Sequence, residues 1–128
     1  MLKTTALAAR LCLTALAAGS IGMTLPGPAA LAAIPAPLGD LAAFRAIAQD
    51  TLGLVGKGDI PAARVRIKDL ETSWDKAEPT LRPKDQAAWH RVDKAIDEAL
   101  AAVRTPNPQA TACATALQSL IRTIDAAR

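Results

Sequence analysis

RIKDLETSWDKAEPTLRPKDQAAWHRVDKAIDEALAAVR, residues 66–104, holds both tryptophans, the single histidine and most of the acid of this 128-residue chain. Apolar residues lead into it and through it at Ile60, Ala63, Ile67, Leu70, Trp74 and Ala77. Steps of three and four put such residues on one face of an α-helix. Beyond a proline-broken turn the rhythm returns at Trp89, Val92, Ile96, Ala99 and Val103, while Arg91, Lys94 and Glu98 fall on the opposite side. Each segment is a helix with one dry stripe and one wet one. Neither is stable until another element covers the dry stripe.

Two further segments supply that cover. Upstream, Leu41, Phe44, Ala48, Leu52 and Val55 form the inner face of a helix that Asp40 can cap and Gly56-Lys57-Gly58 ends. Downstream, Ala110, Cys113, Leu117, Leu120 and Ile124 form another. Asp59 with Pro61 opens the second helix, Pro79 and Pro83 close or kink it, and Asp85 caps the third. In Thr105-Pro106-Asn107-Pro108, Asn107 reads as the cap of the fourth helix and Pro108 as its first residue. The predicted helices are 40–56, 60–78, 86–104 and 108–127. Short connections make sequential helices antiparallel, so the expected fold is all-α, an up-down-up-down four-helix bundle. Its expected core is Phe44, Ile67, Leu70, Trp74, Trp89, Val92, Ile96, Cys113, Leu117, Leu120 and Ile124.

Residues 1–32 have the three-part build of a secretory signal peptide: Lys3 and Arg10, then an apolar run from Leu11 to Leu25, then small residues ending in Ala30-Leu31-Ala32. That run is interrupted by Gly19, Ser20 and Gly22 and falls short of the roughly 20 residues a membrane-spanning helix needs. Cleavage after Ala32 is therefore expected, leaving no stable membrane span. Residues 33–39 are then a linker and 40–128 the bundle, and the location is periplasmic or secreted. Removal takes Lys3 and Arg10 from the 15 cations, so 13 face 12 anions. A net charge near +1, with Lys and Arg alternating with Asp and Glu, argues against nucleic acid as a partner.

Cleavage also removes Cys12 and leaves Cys113 without an internal disulfide partner. Its place on an apolar stripe reads as a buried thiol, with a dimer disulfide or a reactive site as the alternatives. Glu71 lies at the flank of helix two and Asp93 at the flank of helix three, with Asp75 and Asp97 farther out. Facing flanks would bring Glu71 and Asp93 together, and with Asp75, Asp97 and His90 as further ligands these acids make a candidate divalent-metal site. Lys68 and Lys94 offer ordinary ion pairing instead. His90 sits well away from the dry stripe and reads as a solvated side chain, against a phosphohistidine or metal ligand. No C-x-x-C-H haem motif, G-x-S-x-G elbow, phosphate-cradling glycine motif or Glu-x-x-His di-iron pair occurs. No catalytic or cofactor-binding residue is therefore assigned, and no cofactor is expected beyond that divalent metal.

The run from Arg66 to Arg104 resembles a group of small exported bacterial all-helical proteins of unestablished activity, some of which carry the label "histidine kinase". The resemblance implies export and an all-helical fold, and carries over no catalytic residue. The label has no counterpart here, since the kinase N, G and phosphoacceptor boxes are missing. The expected function is that of a non-enzymatic accessory or binding protein, monomer or homodimer, which docks an envelope protein or a small ligand. Its expected docking face is the mild outer side of helices one and four, with Thr51, Thr111, Thr115, Gln118 and Ser119.

Overall fold

The computed structural model describes residues 37–128; the expected leader and the start of the linker lie outside the described residues. Four helices run α1 Ala42–Gly56, α2 Ile60–Leu81, α3 Gln86–Arg104 and α4 Ala110–Ala127, and no strand occurs among the described residues. α1 and α3 each pack on α2 and α4, and no close backbone approach crosses either diagonal. The arrangement is an antiparallel up-down-up-down four-helix bundle.

An aspartate side chain marks the start of three of the four helices. Asp40 Oδ1 accepts from the Ala42 N–H at 2.9 Å, Asp59 Oδ1 from Ala62 at 3.0 Å and Asp85 Oδ1 from Ala88 at 2.8 Å. Each satisfies an amide that the first turn leaves without a helical acceptor. The α1–α2 turn is tight because Gly58 adopts φ +76°, a left-handed conformation that a side chain disfavours. The Gly58 amide then donates to the Val55 carbonyl and that of Asp59 to Leu54, both at 3.0 Å, which is the Schellman closure of a helix. Asp59 thus closes one helix and caps the next.

Three boundaries differ from the sequence expectation, the first being α1, which begins at Ala42 rather than at Asp40. α2 runs through Pro79 to Leu81: the proline is exposed, its missing N–H removes one helical bond, and the buried Leu81 beyond it draws the last turn onto the core. α4 begins at Ala110 rather than at Pro108, and Asn107 caps nothing. Thr105 and Asn107 both precede prolines, which disfavours the helical region for each and leaves residues 105–109 as a bend outside either helix. The C-terminus of α3 is capped from outside, by Arg64 Nε donating to the Val103 carbonyl at 3.0 Å and Nη2 to Thr105 at 2.8 Å. A cation there also meets the negative end of the helix dipole.

The packed part of the chain starts ahead of Asp40. Leu38 is wholly buried, its N–H donates to the Ala127 carbonyl at 3.0 Å, and its own carbonyl accepts from Lys84 Nζ at 3.3 Å. The end of the 33–39 segment is therefore fastened across one pole of the bundle, between the start of α1 and the end of α4.

The core is mostly aliphatic: Ile67, Leu70, Val92, Ile96, Leu117, Leu120 and Ile124 are buried, with Cys113 among them. The Cys113 thiol points at the Ala102 carbonyl, Sγ to O 3.3 Å. Aromatic side chains form a column through it. Phe44 of α1, half-buried at the rim rather than inside, meets Trp74 of α2 edge-on at 5.2 Å. Trp74 stacks on Trp89 of α3 with centroids 6.0 Å apart and planes at 14°, and Arg82 lies over the Trp89 ring at 5.3 Å. Such aromatic pairs contribute about 0.5–1.5 kcal/mol each beyond their buried area.

Candidate functional site

The indole pair stands between α2 and α3, with few close backbone approaches between these two helices. Polar groups fill the resulting seam. Trp74 Nε1 donates to Asp93 Oδ1 at 3.1 Å, which satisfies a ring that is 1 % exposed. Burial holds the Asp93 carboxyl above its ordinary range. The indole hydrogen bond and His90 oppose that shift, and the acids Asp97 and Glu78 add to it. Trp89 Nε1 has no hydrogen-bond partner and is buried, the one such side-chain atom among the described residues. Its ring is instead held by its faces and edge, between Trp74, Arg82 and His90.

Glu71 does not share this centre. Arg104 Nη2 meets its Oε2 at 2.6 Å and Nη1 its Oε1 at 3.3 Å, with Lys68 Nζ 3.8 Å from the same Oε2. Arg104 holds the Glu71 carboxyl below the usual carboxylate range, and Glu71 in turn raises Arg104. The expected approach of Glu71 and Asp93 is thus replaced by two separate partnerships, one with a guanidinium and one with an indole. Asp75, Asp97 and His90 are exposed. Among the described residues, no three His, Cys, Asp or Glu side chains converge as a metal site would require. Neither Arg104 nor Trp74 was marked in the sequence as the partner of these acids. Their pairing depends on how far α3 slides along α2, which periodicity on one helix does not encode.

The other candidate surface is the outer wall of α1 and α4. Arg45 clamps the two helices through Asp125, with Nε to Oδ1 at 2.8 Å and Nη2 to Oδ2 at 3.2 Å. This pair raises Arg45 and lowers Asp125, chiefly through the hydrogen bond. Exposed along these helices are Ala42 and Ala46 of α1 and Thr111, Thr115 and Gln118 of α4, while the exposed Gln49 and Gly53 border the α1–α2 groove. Thr51, expected on this wall, is instead wholly buried, with Oγ1 donating to the Ile47 carbonyl at 2.8 Å. A hydroxyl that bonds to its own helix can be packed inside at little polar cost. Ser119 is half-buried and faces α3 rather than the wall.

Two shallow grooves flank the bundle. One, of about 460 Å³, lies between α1 and α2, and the other, of about 260 Å³, between α3 and α4. The described helices include none long and apolar enough to cross a membrane. No protein-family model, curated protein or solved structure matches the chain.

Proposed function

We propose that this chain is a non-enzymatic accessory protein, exported to the periplasm or beyond, that works by docking a protein partner on the α1–α4 wall. Charge distribution carries the proposal. Among the described residues, six of the eight ion pairs involve α2 or α3, the two others both use Asp125 at the end of α4, and α4 has no charged residue from Ala110 to Ile121. A face with few charges loses little hydration when it is covered, and interface centres are depleted of charge in this way. The partner surface it suits is itself weakly charged and helical, since the exposed alanines along α1 permit close approach. The leader-like pattern of residues 1–32 supports export, in keeping with the group that residues 66–104 resemble.

The test is site-specific photo-crosslinking in intact cells. A crosslinking side chain at Ala46, Thr115 or Gln118 should give one and the same adduct. Placed at Lys76 or Asp97 it should give none, and Thr115→Glu should abolish the adduct formed from Gln118. Adducts of equal yield on both sides of the bundle, or none from the wall, would reject the docking face.

A further inference from the structure

We infer that the groove between α3 and α4 binds a small oxyanion, a phosphate group being the fitting chemistry. Arg45, Arg66, Arg82, Arg104 and Arg128 each hold a carboxylate, and Arg64 holds two backbone carbonyls. Among the described residues, Arg91 and Arg122 alone of the arginines have neither kind of acceptor. Of the two, Arg91 lines the α3–α4 groove, together with Lys94, and Arg122 does not.

The remaining lining completes an anion-binding set. Ser119 and Thr123 come from α4, Ala95 lies between, and Glu98 is the one acid. Thr123 Oγ1 donates to the Ser119 carbonyl at 2.9 Å, so its proton is engaged. The Ser119 hydroxyl has no partner among the described residues and is free to donate. Lys94 meets Glu98 only loosely, at 3.9 Å. A guanidinium fork, an ammonium and a hydroxyl on two facing helices offer donors of the kind and number that a phosphate's oxygens accept.

The α1–α2 groove shows that volume alone does not select the site. It is larger, yet its Arg66 is held by Asp50 at 2.7 Å and by Asp69 at 3.2 Å, so no free fork remains. In the α3–α4 groove the single carboxylate competes with an incoming anion for Lys94. Removing it should therefore tighten binding, an outcome opposite in sign to that of removing Arg91.

Titration of the mature protein with sodium phosphate, followed by ¹H–¹⁵N NMR at constant ionic strength against sodium chloride, tests this. Saturable shifts are expected at residues 91–98 and 119–123. Binding should weaken about tenfold in Arg91→Gln and tighten about threefold in Glu98→Gln, with Lys57→Gln unchanged. Co-sedimentation with phosphatidylglycerol and phosphatidylcholine vesicles separates the sources of the phosphate. Arg91-dependent retention by phosphatidylglycerol alone, without a free-phosphate response, assigns the groove to a lipid headgroup; the free-phosphate response assigns it to a soluble ligand. Shifts equal to those from chloride, shifts centred elsewhere, or tightening absent in Glu98→Gln with no lipid retention would overturn the proposal.

Discussion

Trp74 Nε1 and Asp93 Oδ1, 3.1 Å apart, join the middle of α2 to the middle of α3 and place a half-buried carboxylate against the side of an indole stack. Burial makes the folded protein hold the Asp93 proton more tightly than the unfolded chain does. The neutral form is thus the one that suits the fold: its stabilising effect is fully present at low pH and is lost as pH rises through the raised value. Asp93→Asn keeps an acceptor for the indole and removes the charge. Thermal melts should show a Tm a few degrees above wild type at neutral pH, the difference vanishing in acid. Asp93→Ala, which strands the buried N–H, should cost about 1–3 kcal/mol.

Glu71 and Arg104 behave in the opposite sense. The folded carboxyl is held low by the guanidinium, so its contribution is present above the ordinary carboxylate range and lost as pH falls through the lowered value. The pair is largely solvated, and at neutral pH Glu71→Gln should cost no more than about 1 kcal/mol. Its signature is in the pH profile. Denaturant midpoints measured from pH 7 down into acid should fall less steeply for the variant than for wild type.

Glycines separate conformational cost from space. Nothing lies within 4 Å of a Cβ built at Gly58 or at Gly53. Gly58 has φ +76° and Gly53 sits inside α1. Gly58→Ala should therefore destabilise by about 1–2 kcal/mol, with Gly58→Asn milder. Gly53→Ala should stabilise by about 0.5–1 kcal/mol. Urea titration of the three variants checks the order, and a loss of stability in Gly53→Ala would contradict it.

Leu38 tests whether the segment before Asp40 belongs to the fold. It is wholly buried and tied to Ala127 and Lys84 through its backbone. Leu38→Ala should cost about 2–4 kcal/mol, on the scale of a core leucine. Its effect on urea midpoints should exceed that of Pro37→Ala, whose side chain is only half-buried.

The helices were legible in the sequence because their chemistry is local. A three-and-four rhythm, an aspartate ahead of each of three helices and prolines between them depend on neighbours a few residues apart. Asn107 misled because an Asn-Pro pair suits both a cap and an extended turn, and Pro106 with Pro108 made the turn prevail. Thr51 misled because one polar residue on an apolar face can satisfy its hydroxyl within its own helix. The candidate site was harder to see. Whether Asp93 meets Glu71 or Trp74, and whether Arg91 finds a carboxylate, is decided by the sliding of helices that lie far apart in sequence.

The joint between Leu38 and Ala127 has a mechanical meaning. The chain comes into and out of the bundle at the same pole, at the outer ends of two neighbouring helices. A pull on both ends would open α1 from α4 like a zipper, breaking one layer of side chains at a time, and would never load the whole interface in shear. Held by its two ends the bundle is weak. Held by one end and gripped on a face, it keeps every layer closed, and that is the way a docked partner would hold it.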